Sequence, residues 1–305
     1  MLRVLVSVLA VSTATWAASA SRAAPADTGP LPFHYDLYTF RGDAGRTAVV
    51  AAFAVPAGHL EDEDVDGGVR YRFDVSFVLA DTAQRSVSRT DDSVFVGFPR
   101  SISDEHLLYT NSEIQAPPSR TTLHRVIITD ATTPGRGQLY DAAFPIPDYR
   151  GRRLMVSDIA LGVPGVDAGW RRGDVALALL PTNLFPESAF DVYYEVYNLP
   201  AGSPYTTEIF VEPVDRSGAP RGGEEPVRLR FSGDAAPRVD GTLPELRHVE
   251  TSLGRGHYRI TVTIEHEDTG ETASRSRVFE VRDWDRDATL VPALSRRGIP
   301  AEGES

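Results

Sequence analysis

Residues 70–79 read Arg70-Tyr71-Arg72-Phe73-Asp74-Val75-Ser76-Phe77-Val78-Leu79. Tyr71, Phe73, Val75, Phe77 and Leu79 fall on one face of an extended chain, and Arg70, Arg72, Asp74 and Ser76 on the other. Strict alternation with period two is the mark of a strand with one buried face. The same pattern returns at Tyr258, Ile260, Val262 and Ile264, which alternate with Arg259, Thr261, Thr263 and Glu265. It appears again where Val227, Leu229 and Phe231 alternate with Arg228 and Arg230. Further β-rich runs occupy 47–55, 93–98, 123–129, 174–180, 190–197 and 276–281, with Pro, Gly and Asp in the gaps. No long stretch of helical period follows residue 23. The expectation is an all-β chain of short antiparallel strands without crossover helices.

The two halves also echo each other. Leu123-His-Arg-Val-Ile-Ile128, Thr133-Pro-Gly135, Phe144 and Asp148-Tyr149 run in parallel with Tyr258-Arg-Ile-Thr-Val-Thr263, Thr269-Gly270, Phe279 and Asp283-Trp284. Val55-Pro-Ala-Gly58 is echoed by Leu199-Pro-Ala-Gly202, and Val75 to Asp81 by Ile209 to Asp215. Repeated units in one order predict a duplication. We therefore expect two tandem antiparallel β-sandwich domains, immunoglobulin- or fibronectin III-like, at 30–150 and 153–285, and a polar, disordered tail at 286–305.

Residues 1–23 predict export. Arg3 gives a positive start, 4–18 are apolar apart from Ser and Thr, and small residues follow at Ala18-Ser19-Ala20 and Ala23-Ala24. This is the pattern of a cleaved secretory signal, too short and diluted for a membrane span. The expected location is secreted or periplasmic, with no transmembrane segment after cleavage.

The second half resembles the β-sandwich portion of bacterial secreted proteins named for a GWxTD domain. The likeness lies in Asp174-Val-Ala-Leu-Ala-Leu-Leu-Pro181, Phe190-Asp-Val-Tyr-Tyr-Glu-Val-Tyr-Asn-Leu199 and Gly256-His-Tyr-Arg-Ile-Thr-Val262. The naming motif is absent; Gly169-Trp170-Arg171-Arg172-Gly173-Asp174 only superficially matches it. The resemblance implies an exported sandwich and carries no catalytic residues with it.

Composition removes several functions. The 305 residues include no Cys, so disulfides, thiolate catalysis and Cys-based zinc sites are excluded. All 31 basic residues are Arg, and the net charge is −12, a field that repels nucleic acid. There is no G-x-S-x-G elbow and no H-E-x-x-H pair. His266-Glu267-Asp268 reads as a solvated hairpin turn. Asp62-Glu63-Asp64-Val65-Asp66-Gly67 is the one metal-like motif: Asp62, Asp64 and Asp66 are spaced as calcium ligands on a loop closed by Gly. The expected twelfth-position carboxylate falls instead on Phe73, and the competing reading is an acidic connector between strands. Tyr193 and Tyr197 share a strand face opposite Tyr194, while Trp170 and Tyr205 fall in expected loops; these aromatics suit either a sandwich core or a sugar platform. The leading expectation is a non-enzymatic envelope protein that binds or scaffolds a protein or glycan, without a cofactor unless calcium. The alternatives are a hydrolase of glycans or peptides with an acidic inter-domain cleft, and a calcium-dependent adhesion module.

Overall fold

A computed structural model describes residues 30–163, 169–181, 189–223, 225–250, 253–282 and 290–295. The expected signal at 1–23 lies outside them. Among the described residues there is no α-helix; two 3-10 turns interrupt a chain of strands. The first half carries β1 (His34–Arg41), β2 (Thr47–Pro56), β3 (Asp62–Val65), β4 (Gly68–Asp81), β5 (Ser86–Phe98), β6 (Leu107–Ala116), β7 (Thr122–Asp130) and β8 (Gly137–Ala143). The second carries β9 (Met155–Val156), β10 (Ala160–Val163), β11 (Trp170–Arg172), β12 (Val175–Leu179), β13 (Phe190–Tyr197) and β14 (Pro204–Val214). It continues with β15 (Val227–Asp234), β16 (Thr242–Val249), β17 (Gly256–His266) and β18 (Glu271–Val281), followed by β19 (Leu290–Pro292) and β20 (Leu294–Ser295).

These strands build four sheets. The first half pairs an inner sheet, β1-β2-β6-β19, with an outer sheet, β20-β5-β4-β7-β8, which β3 joins beside β4. The second half pairs an inner sheet, β11-β12-β10-β13-β16, joined by β9, with an outer sheet, β15-β14-β17-β18. The order β1-β2-β6 facing β5-β4-β7-β8 corresponds strand for strand to β10-β13-β16 facing β15-β14-β17-β18. The chain is all-β and its sheets form antiparallel sandwiches.

The alternating stretch at 70–79 lies in β4. Tyr71, Phe73, Val75, Phe77 and Leu79 are buried against Val49, Ala51, Phe53 and Val55 of β2. On the second half, Ile260, Val262 and Ile264 of β17 pack on Val192, Tyr194 and Val196 of β13. A third core joins the two sandwiches. Tyr38, Phe40, Ala48, Val50 and Ala52 pack against Ala160, Trp170, Leu177, Leu179 and Tyr193. The inner sheets thus lie face to face, and the molecule is a stack of four β-layers. This is why β2 and most of β13 are buried on both faces. Such strands lose the alternation that marks a half-buried one and read as continuous apolar runs. The alanines of β2 leave room for rings: Phe40 stacks on Trp170 at 5.4 Å, and Trp170 meets Tyr193 edge-on at 5.4 Å.

Two expectations change. Trp170 and Tyr205 are not loop residues; they lie in β11 and β14 and are buried, because the third core and the second sandwich need their apolar area. Residues 290–295, expected within the tail, return to the first half. β19 pairs parallel with β6, and β20 pairs antiparallel with β5, so each covers an edge that would otherwise expose backbone groups.

Candidate functional site

β1 is the edge strand of the first inner sheet. Pairing with β2 uses alternate residues, so the N–H and C=O groups of the intervening ones point away from the sheet. At three successive outward residues the second half supplies partners. Arg277 donates to the Leu37 carbonyl at 2.8 Å. Asp158 accepts the Thr39 N–H at 3.0 Å and returns its own N–H to the Thr39 carbonyl at 3.0 Å. The Arg41 N–H donates to the Tyr197 hydroxyl at 2.7 Å, and Arg172 donates to the Arg41 carbonyl at 2.6 Å.

The supporting charges are themselves held. Glu195, 1% exposed, accepts from Arg172 Nε at 2.6 Å, Tyr193 at 2.8 Å and Tyr197 at 2.6 Å. Arg277 lies between Asp36 at 2.8 Å and Asp158 at 3.5 Å, with its guanidinium 4.3 Å from the Tyr38 ring centre. Buried charges survive only when paired and hydrogen-bonded in this way.

Tyr35 is the next outward residue of β1, and there the seal stops. Its main chain faces a groove of about 630 Å³ where three edge strands, β1, β8 and β18, meet. One wall is aromatic. The Tyr35 ring sits 5.8 Å from Phe33, 5.6 Å from His124 and 5.1 Å from Tyr140, and His124 meets Phe144 at 5.8 Å. Tyr140 is 45% exposed. The other wall is polar, formed by Asp36, Asp158, Arg275 and Ser276. The Tyr35 hydroxyl and His124 Nε2 share a hydrogen bond of 2.8 Å. Burial pushes the Tyr35 phenol up, with Tyr140 adding to it, and burial pushes the His124 imidazole down. Both are therefore neutral groups at neutral pH. Asp36 and Asp158, the two carboxylates of the groove, are both engaged by Arg277, and Arg275 donates to Asp158 at 2.7 Å. The groove offers rings, neutral hydrogen-bonding groups and a compensated charge cluster, which suits recognition more than proton transfer.

The sequence-derived calcium candidates lie elsewhere. Asp62 and Asp64 are in β3, and Asp66 is in the turn to β4, where Gly67 takes a φ of 86°. Asp62 accepts from the Ser101 hydroxyl at 2.6 Å, and Glu63 pairs with Arg70 at 2.9 Å on the opposite face. Among the described residues no group of three or more His, Asp or Glu side chains gathers to hold a metal ion. Tyr193, Tyr194 and Tyr197 are fully buried, in the cores and the sealed junction. His266 closes its own turn through Thr269 at 2.9 Å. The groove residues Tyr35, His124 and Tyr140 were not singled out as a site by the sequence. They are drawn together from β1, β7 and β8, and only pairing order brings those strands to one side.

No protein-family profile and no curated protein matches this chain. Among solved structures, red sea bream transglutaminase is similar over 82% of this chain and 31% of its own, at 11% identity and a TM-score of 0.25. A β-glucuronidase of Bacteroides uniformis is similar over 77% of this chain and 26% of its own, at 9% identity and a TM-score of 0.27. The chain spans less than a third of the length of either structure.

Proposed function

We propose that this chain is an exported, non-enzymatic binding protein of the cell envelope, secreted or periplasmic, that holds its partner in the groove between β1, β8 and β18. One observation carries this reading: the junction is sealed at Leu37, Thr39 and Arg41 but open at Tyr35, where partly exposed rings line a cavity. Rigid sandwiches presenting an edge and a concave aromatic surface suit recognition. The export assignment rests on residues 1–23, and no described helix is long and apolar enough to cross a membrane. The matching strand order of the halves supports an origin by duplication.

The test is capture from envelope extract on immobilised protein, with Tyr140→Ala as the comparison. Tyr140 is exposed, so its truncation leaves the cores intact. Retention of defined material by the unaltered protein, lost in the variant, supports the groove. Equal retention by both overturns it.

A further inference from the structure

We infer that the groove takes a short extended peptide segment, which adds as a strand to β1 at Tyr35; this rests on the binding role proposed for the groove. An edge strand carries a row of unused donors and acceptors, and folded proteins cover them. Here the second half covers Leu37, Thr39 and Arg41 with the side chains of Arg277, Asp158, Tyr197 and Arg172. Among the described residues no such partner reaches the main chain of Tyr35, and the space beside it is the groove. The unmet need at that point is one N–H and one C=O in strand geometry, which another extended main chain satisfies.

The walls fit the same occupant. A strand laid beside β1 continues the first inner sheet and therefore lies over β7 and β8. Alternate side chains then turn onto His124, Tyr140 and Phe144, as they do along any strand in a sandwich. The segment is short, because Arg277 occupies the slot at Leu37. A basic residue in the segment suits the site. The chain carries a net charge of −12, which draws cations toward it. A glycan would use the rings but leave the Tyr35 main chain without its matching partner.

The probe is a displayed library of random short peptides, selected on the unaltered protein and counter-selected on Tyr35→Pro. Proline at this position removes the ring together with the outward N–H, which the β1–β2 ladder does not use, so the ladder is kept. Enriched peptides are then measured against Tyr35→Ala, which loses the ring but keeps the N–H. The expected result is enrichment of alternating sequences with a basic residue, with Tyr35→Pro binding about tenfold more weakly than Tyr35→Ala. N-methylation of the peptide main chain is expected to abolish binding. Slowed amide exchange at Tyr35 of the unaltered protein on adding peptide gives a measure that needs no variant. Failure of any peptide to enrich, or equal binding to the Pro and Ala variants, overturns the proposal. If Tyr140-dependent capture survives exhaustive proteolysis of the envelope extract, the occupant is a glycan: the peptide proposal falls and the binding role stands. If nothing captured depends on Tyr140, both fall.

Discussion

Asp158 and Thr39 pair across the junction much as two residues of neighbouring strands would. The Asp158 carboxylate takes the Thr39 N–H at 3.0 Å, and the Asp158 N–H returns to the Thr39 carbonyl at 3.0 Å. The Thr39 hydroxyl adds a second bond to the same carboxylate at 2.7 Å. A side chain thus completes what a missing strand would supply, and β1 is held to the second half without a continuous sheet. The junction combines this polar seam with the apolar core around Trp170, so the two sandwiches are joined by a packed interface.

Removing the carboxylate should therefore be costly. Asp158→Ala strips three bonds from Thr39 and Arg275 and takes one of two counter-charges from the largely enclosed Arg277. Breaking one partner of a buried ion pair costs about 3–5 kcal/mol. Arg275→Ala, at a more exposed side chain, is expected to cost about 1 kcal/mol or less. Urea unfolding of both variants tests this; equal midpoints would mean that Asp158 does not support the junction.

Glu195→Gln keeps the shape and loses the charge. Its oxygens accept from Arg172, Tyr193 and Tyr197, and Arg172 in turn reaches the Arg41 carbonyl. A destabilisation of about 2–4 kcal/mol is expected, within the range for hydrogen bonds to a buried charge. Trp170 packs beside Phe40 and Tyr193, so the near-ultraviolet circular dichroism of the variant should weaken. Unchanged spectra and stability together would show the network to be dispensable.

Much of the fold was legible because half-buried strands announce themselves. Alternation marks β4 and β17 without ambiguity, and the echo of Gly135 and Phe144 in Gly270 and Phe279 corresponds to hairpins β7–β8 and β17–β18 in equivalent places. The four-layer stack was written less plainly. The continuous run Ala48–Val55 is the trace of a strand buried on both faces, but such a run is equally compatible with other buried elements. The groove could not be read at all. Its rings sit at Phe33, Tyr35, His124, Tyr140 and Phe144, and only the order β8-β7-β4 over β1-β2 makes them neighbours. The acidic motif was conspicuous for a local reason: Asp62 and Asp64 alternate along β3 and Asp66 follows in the turn.

Acid should loosen the groove first. His124 and His34 both have imidazoles pushed below the ordinary 6.5, chiefly by burial, with Arg282 adding to the effect at His34. Their folded-state values are depressed, so as pH falls below about 6.5 the unfolded chain takes up protons before the folded one. The stability they confer is full above that pH and is lost as pH falls from there toward the folded values. Melting temperature should decline below pH 6.5 in the unaltered protein and decline less in His124→Gln. Parallel curves for the two proteins would remove His124 from this role.

Millimolar calcium should leave the melting temperature unchanged. Asp62 is bonded to Ser101, Glu63 and Arg70 are paired across the hairpin, and Asp66 stands apart in the turn. Hard cations need several oxygens converging within coordination distance, which an extended hairpin does not provide. A rise in melting temperature that is absent from Asp62→Asn would require the hairpin to rearrange around the ion.

Close packing in the second inner sheet predicts a cost for a single methyl group. Gly162 lies in β10 between β12 and β13, and a Cβ placed on it would fall 2.4 Å from Leu177 Cγ and 2.9 Å from the Ala178 carbonyl oxygen. Leu177 belongs to the core that joins the two sandwiches, so it yields only by disturbing Trp170 and its neighbours. Gly162→Ala should destabilise by about 1–3 kcal/mol, the usual cost of overpacking, although alanine favours a strand more than glycine does. Leu139→Ala is the control: Leu139 is 52% exposed on β8, and its truncation should stay within about 0.5 kcal/mol. Because Gly162 is not among the residues that line the groove, peptide binding at 25 °C should survive the substitution while unfolding shifts to lower urea. Coincident unfolding curves for Gly162→Ala and the unaltered protein would mean that the layers are packed more loosely at β10 than these distances require.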